Sequence, residues 1–491
     1  MRELYEKICA GEDLRANLIE LKRQLKIQEN REDFREICGD DHDVIMKCLV
    51  DDDPKVRKNA AAILGALKVQ ESVDVLMDAY REEETRFVRP DYVSALSELD
   101  CVPYLQEFHA RLDELCSMDA AEDETKHVQA EIAALRELIL KKEGIKKHPF
   151  TGYNRTNEVL LTTLPAFRGL LTADLPFQKK ERPDGIVLSV GDMDLVSECR
   201  YWQEMLFVIS LSGKIPAQAE TVAAALTQSD LMEILNKNHS GREPFYFRVG
   251  VTGAVSREER SALAKQAGAA IGQAFSGSLL NSPSHYEVEI RLSADREGML
   301  TPYLKLFTLP DNRFCYRRYH VAAGLRPFIA AGLIGLAKPY LKESAQVLDP
   351  FCGVGTLLIE RRYAGPVRSA YGIDTFGEAI EKARRNAQIA GMPVNYINRN
   401  FFDFTHDYLF DEIITDMPDP AGDRAETDAL YHAFFEKSAG LLAERGRIFC
   451  YTKEAGLLKK HLRLSGQFRL LKEFPVLEKS KTGFFIMERK G

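Results

Sequence analysis

The stretch Ala345-Gln346-Val347-Leu348-Asp349-Pro350-Phe351-Cys352-Gly353-Val354-Gly355-Thr356-Leu357-Leu358-Ile359-Glu360 decides how the rear of the chain folds. A short apolar strand ends in an acidic residue, passes through a Gly-x-Gly turn and enters a helix. The glycines let the backbone approach a ligand closely, and the helix N-terminus offers free N–H groups. A dinucleotide-binding turn wants a third glycine at position 358, and that position holds Leu358. NAD binding is therefore disfavoured.

Downstream, strands and helices alternate. Ala370–Ile373 is a strand ending at Asp374, 19 residues after Gly355, where a carboxylate can accept both hydrogen bonds of a ribose diol. Glu378–Ala390 reads as a helix and Val394–Asn398 as a third strand, followed by Asn400-Phe401-Phe402-Asp403. Here Asp403 is placed to hold an adenine amino group while Phe402 covers the ring. A fourth strand, Asp411–Thr415, delivers Asp416-Met417-Pro418 at its C-terminal end, where open α/β sheets bind ligands. Helices at Asp428–Ala443 and Lys453–Leu462, and strands at Arg447–Thr452, Phe468–Phe474 and Gly483–Arg489, complete a seven-stranded Rossmann-like α/β domain over residues 310–491.

This ordering resembles the class I S-adenosylmethionine-dependent methyltransferases. Asp349-Pro350-Phe351-Cys352-Gly353 followed by Gly355-Thr356 is similar to the RNA and DNA amino-methyltransferases, above all the THUMP-containing enzymes that methylate the 2-amino group of guanine in tRNA or rRNA. Tyr316-Arg317-Arg318 and Ala323-Gly324-Leu325-Arg326-Pro327 match that group's lead-in helix. The resemblance implies S-adenosyl-L-methionine as cofactor. Asp349 and the Gly353–Gly355 turn, with Phe351 and Thr356, would hold its methionine part, Asp374 its ribose, and Phe402 and Asp403 its adenine. It implies Asp416, Met417 and Pro418 as the catalytic run. An exocyclic amine is a poor nucleophile because its lone pair is delocalised, and oxygens that accept its hydrogens localise density on nitrogen. Enzymes of this group carry an aromatic residue after the proline, to stack on the base; this chain has Asp419. Two outcomes stay open: Phe351 or Tyr431 supplies the platform, or base methylation is lost and a non-catalytic RNA-binding scaffold remains. The expectation is an active RNA methyltransferase, with a protein or small-molecule methyltransferase as a further alternative. Its substrate base would have to leave its stack.

The middle, residues 155–308, reads as α+β, ferredoxin-like and THUMP-like. Strands are expected at Glu158–Thr163, Gly185–Val190, Leu206–Ser210, Phe245–Val249, His285–Arg291 and Thr301–Thr308, with helices at Ala217–Asn236 and Ser256–Phe275. Phe247-Arg248-Val249, then a helix, then Tyr286-Glu287-Val288-Glu289-Ile290 carry the THUMP resemblance, which implies an RNA grip. A spacer without a ligand is the alternative.

The front, residues 1–145, shows an internal period. Asp52–Gly65 recurs as Thr85–Leu96 at an offset of 32, aligning Val56 with Val88, Arg57 with Arg89, Leu64 with Leu96 and Leu67 with Leu99. The segment resembles HEAT repeats, an all-α solenoid that serves as a partner surface; an irregular helical bundle is the alternative. Lys141–Pro149 reads as the linker that ends it.

Composition bounds these readings. The 491 residues, 45% hydrophobic and 29% charged, exclude disorder and collagen, and about three domains are expected at ~150 residues each. No apolar run reaches the ~18 residues of a membrane span. Met1–Lys7 lacks the apolar core of a secretory signal, and nine scattered cysteines form no Cys-x-x-Cys pair, so a cytoplasmic setting is expected. Net charge is −8, with −11 in residues 1–150 and +3 in the remainder, so RNA suits the rear and a protein partner the acidic front. Ten histidines, His406 and His432 among them, show no ligand spacing, and no metal is expected. Cys352 reads as a small buried residue in the turn. Arg361, Arg362, Arg384 and Arg385, and the run Lys459–Arg463, are candidate RNA-facing cations that solvated helix faces imitate.

Overall fold

In the computed structural model the periodicities become two sheets and a helical stack. The residues described are 1–491 apart from 40–41, 119–123, 145–146, 242–243, 276, 323, 420–422 and 479; Ile145 and Lys146 of the linker, and Ala323 of the lead-in, lie outside them. The chain divides into two units, Met1–Lys147 and His148–Gly491, and the second holds both sheets.

In the first unit the repeat shows in the packing. Val56, Val88, Leu64, Leu96, Leu67 and Leu99 are all buried, on and around the helices Pro54–Leu67 and Arg89–Ser97. Asp53 caps the first of these by accepting from the Lys55 N–H at 2.8 Å. The paired arginines converge on one buried acid. Arg57 donates to both Glu83 carboxylate oxygens at 2.7 and 2.8 Å, and Arg89 donates to the Glu83 carbonyl at 2.8 Å.

The first sheet of the second unit contains β1 (Asn157–Thr162), β2 (Gln178–Arg182), β3 (Gly185–Val190), β4 (Glu204–Val208), β5 (Phe245–Gly253), β6 (Leu279–Asn281), β7 (Val288–Ala294) and β8 (Leu300–Leu306). They lie in the order β2-β3-β1-β4-β8-β7-β5-β6. The two segments singled out in this region are neighbours: β5 and β7 run parallel with Phe247 beside Val288 and Arg248 beside Glu289. Arg248 donates to Glu289 at 2.7 Å and lies 4.0 Å from the Tyr286 ring centroid. Two expectations shift here. The strand expected at 285–291 runs 288–294. The helix expected at Ala217–Asn236 is two, Ala219–Thr227 and Leu231–Asn238. Between them Ser229 Oγ accepts from the Leu231 N–H, and the Asp230 carboxylate accepts from the Ser210 N–H at 2.8 Å. These side-chain bonds compete with helix continuation, as Ser and Asp commonly do. The edge strands β2 and β6 carry no alternating apolar pattern and were not legible.

The second sheet contains β9 (Ala345–Asp349), β10 (Val367–Asp374), β11 (Asn395–Asn398), β12 (Phe410–Asp416), β13 (Leu442–Thr452), β14 (Phe468–Leu477) and β15 (Thr482–Arg489), in the order β11-β10-β9-β12-β13-β15-β14. β11, β10, β9, β12 and β13 run parallel to one another, and β15 is antiparallel to both β13 and β14. From β9 the chain first builds outward through β10 and β11, then returns to place β12 on the other side of β9. The order reverses between β9 and β12, and a crevice opens at that switch point. β9 ends at Asp349 and β12 at Asp416, so topology sets these two carboxylates at the same edge. The sheets are tied together: Glu360, on the helix Thr356–Tyr363, accepts from Arg200 at 2.7 Å and from the Tyr316 hydroxyl at 2.6 Å.

Candidate active site

At the C-terminal ends of β9, β10, β12 and β13 lies a cavity of about 650 Å³, within the size range of small-molecule and cofactor sites. Its lining includes Asp349, Phe351, Gly353, Thr356, Asp374, Asp416, Met417 and Pro418 from the expected set. Gly355 lies in the same turn. Phe402 and Asp403 are not among the lining residues, and Asp403 is exposed. Phe402 keeps a ring contact with Phe351 at 6.5 Å between centroids.

The turn is built as glycines require. Gly353 has φ +52° and Gly355 φ +80°, a region costly for other L-residues. At Gly353 an added Cβ would meet nothing within 4 Å, so the backbone faces open space, whereas at Gly355 it would stand 2.1 Å from the Tyr396 hydroxyl. The Gly353 N–H donates to one Asp374 oxygen at 2.8 Å, and the Phe376 N–H donates to the other at 2.9 Å. Both oxygens keep acceptor capacity for a diol, because a carboxylate has about four lone-pair sites.

Asp349 is 1% exposed. It accepts from the Phe351 N–H at 3.2 Å, and burial, with Asp416 and Asp374 nearby, pushes its carboxyl well above the usual range. Asp416 is raised to about 7 by burial, against which the Lys453 charge pulls. Its carboxylate has no hydrogen-bond partner among the described residues, while the Met417 N–H is held by the Tyr451 carbonyl at 3.0 Å. Asp419 forms an ion pair with Lys453, Oδ2 to Nζ 3.2 Å, and both side chains are more than half exposed. Phe351 and Tyr431 also line the cavity, and the buried Tyr431 bonds through its hydroxyl to Thr452 Oγ1.

Sequence reasoning missed several lining residues: Phe376, Tyr451, Lys453, Glu454 and Thr482. Phe376 alone carried a local signal, since it follows Asp374 by two residues and is 51% exposed. The others belong to the later strands and their loops, whose approach depends on sheet order. Arg326 of the lead-in adds a cation to the lining.

Other candidates resolve differently. Arg361 is corrected: it is 2% exposed and locked to Glu412 at 2.7 Å, so it faces no RNA. Lys459 pairs with Glu473, and Lys460 and His461 both reach Asp428, which largely neutralises that run. Cys352 is buried, and burial pushes its thiol well up, away from nucleophilic chemistry. Among the described residues no cluster of His, Cys, Asp and Glu could hold a metal ion.

Two segments of the chain match family models. Residues 315–481 match the family model described as RMKL-like, methyltransferase domain, and residues 15–106 match HEAT repeats. The chain is 32% identical over 138 residues to the tRNA (guanine(10)-N2)-dimethyltransferase of Methanothermobacter thermautotrophicus, covering 27% of this chain and 39% of that protein. It is 26% identical over 226 residues to the U6 snRNA (guanine-N(2))-methyltransferase THUMPD2 of Bos taurus, covering 44% and 43%. The chain thus spans about two fifths of the length of these curated relatives. Among solved structures, TrmN from Thermus thermophilus superposes with a TM-score of 0.50 at 20% identity, covering 68% of this chain and 99% of that one. SMU.472, complexed with SAH, does so with a TM-score of 0.50 at 16% identity, covering 68% and 98%. These two likenesses show the fold. Behind HEAT repeats at 15–106, the chain carries an RMKL-like methyltransferase domain at 315–481, on a Rossmann-like sheet.

Proposed function

We propose that this protein is an S-adenosylmethionine-dependent RNA methyltransferase acting on the 2-amino group of a guanine in a structured RNA. The observation that carries this reading is the Asp416 carboxylate, without a hydrogen-bond partner among the described residues, in one cavity with Asp374 and the open Gly353 turn. Both named relatives act on guanine N2, which supports the same choice of base.

The residues present fit the cofactor. Asp349, Asp374 and Asp416 converge on the cavity, and its lining cations are Arg326 and Lys453. A crevice rich in carboxylates suits a ligand with a sulfonium and an ammonium group. Asp374 would hold the ribose diol, and the Gly353–Gly355 turn the methionine part. The chemistry the cofactor would supply when bound there is an electrophilic methyl group on its sulfonium.

Asp416 then has two tasks. Its carboxylate accepts a hydrogen of the guanine amine, which localises the lone pair on nitrogen, and it takes the proton that the methylated nitrogen sheds. Pro418 restricts the backbone after Met417, whose N–H is already held by Tyr451. Phe351 and Tyr431 supply the apolar walls that an extruded base meets. Residues 155–308 grip the RNA, the acidic helical repeats carry a protein partner, and the protein works in the cytoplasm.

Nucleoside mass spectrometry of RNA from cells with and without the gene tests the reading. Loss of N2-methylguanosine at one position, restored by the wild-type gene and not by Asp416→Ala, is expected. Unchanged methylguanosine would overturn it.

A further inference from the structure

At the mouth of the cavity, three residues beyond Asp416, Asp419 stands where a stacking aromatic is expected. Its carboxylate is only half committed. Oδ2 pairs with Lys453 Nζ at 3.2 Å, while Oδ1 has no partner among the described residues. Asp416, separated from it by Met417 and Pro418, likewise has no hydrogen-bond partner among the described residues, and all four residues line the same cavity. The cavity lining therefore offers two carboxyl groups with uncommitted oxygens and one cation paired with the outer one. With Asp416 assigned to the reacting amine, a site that only stacked the base would not need the second acceptor.

That arrangement has a chemical complement. Guanine presents the N1–H and the 2-amino group side by side on one edge, as adjacent donors. Adenine presents an unprotonated N1, an acceptor, on the matching edge. A carboxylate accepts and does not donate, so it welcomes the first edge and repels the second. An acceptor placed against an acceptor loses the hydrogen bond and leaves both groups to be desolvated without a partner when the base covers them.

We propose that Asp419 is the base-specificity determinant of this site, accepting the guanine N1–H through its free oxygen while Lys453 holds the other. This rests on the guanine N2 reading above and assigns a second residue to the same base. Lys453 is the positioning residue: its ammonium engages Oδ2 at 3.2 Å and leaves Oδ1 for the base. Stacking passes to Phe351 and Tyr431, which line the same cavity.

The test uses the full-length protein, S-adenosylmethionine and an RNA whose methylated guanine has been mapped with the wild-type enzyme. The same RNA is then synthesised with 2-aminopurine at that position. This base keeps the 2-amino methyl acceptor but has an acceptor at N1. Wild type should prefer guanine by roughly 10- to 100-fold in kcat/KM, the range of one hydrogen bond to a charged group. In Asp419→Asn the side-chain amide can donate to the 2-aminopurine N1. The preference should then shrink to about threefold or less, with cofactor affinity unchanged by calorimetry. Asp419→Asn keeping the wild-type preference would overturn the assignment while leaving guanine methylation intact. Absence of any guanine methylation by wild type would instead remove the reading on which it rests.

Discussion

The Gly353 N–H donates to Asp374 Oδ2 at 2.8 Å across 21 residues of sequence, joining the turn after β9 to the end of β10. One carboxylate therefore shapes the glycine turn and faces the cavity at once. Its second oxygen is held by the Phe376 N–H, so its rotamer is set before any ligand arrives. This is preorganisation: the cost of ordering the acceptor is met in folding and not in binding.

Asp374→Ala should weaken S-adenosylmethionine binding by roughly 10- to 100-fold, through lost hydrogen bonds to a charged acceptor and a loosened turn. Asp374→Asn should fall between the two, because one acceptor oxygen remains. Titration calorimetry reads this directly, and equal affinity for wild type and the alanine variant would show that the ribose site lies elsewhere.

The Gly355 Cα packs against the Tyr396 hydroxyl, a buried group with no hydrogen-bond partner among the described residues. Gly355→Ala should destabilise the protein by about 2–4 kcal/mol, from positive-φ strain and overpacking. Tyr396→Phe removes an orphaned hydroxyl and should be neutral, or stabilising by about 1 kcal/mol. The double variant should regain part of the loss, since the nearest clash is that oxygen. Urea unfolding of the four proteins checks the coupling, and strict additivity would argue against it.

Asp416 works as a carboxylate, and burial raises its carboxyl to about 7. Methyl transfer should therefore rise as pH increases through about 7 and level off above it. Asp416→Asn should lower kcat by about 100-fold or more and abolish that limb. The stability effect has the opposite sign. A folded-state value above the unfolded 3.8 favours the protonated form. That contribution is fully present below about pH 4 and is lost as pH rises through 7. At pH 8 Asp416→Asn should melt above wild type and at pH 4 close to it. A wild-type rate independent of pH between 6 and 8 would count against the carboxylate role.

Much of the site was readable as local grammar. An acid, a Gly-x-Gly turn and a helix start constrain backbone angles within ten residues, and the structure puts left-handed glycines at 353 and 355. The period of 32 in the front unit was equally legible, because repeated burial demands repeated apolar positions. The edge strands β2 and β6 were not, since neither has a face alternating into a core. Arg361 misled for a related reason. A basic residue on a helix reads as solvated, and only the return of β12 beside its helix supplies Glu412 and buries both.

What the chain determined locally is the succession of strands, helices and glycine turns, because torsional preference and hydrophobic period act over a few residues. Which strand ends meet was decided only in three dimensions. Asp349 and Asp416 share an edge because β12 pairs with β9, and Lys453 reaches Asp419 because β13 lies beside β12. Phe402 and Asp403, the residues expected to hold the adenine, fall outside the cavity lining. Strand pairing depends on burial summed over distant segments, and no local period encodes it.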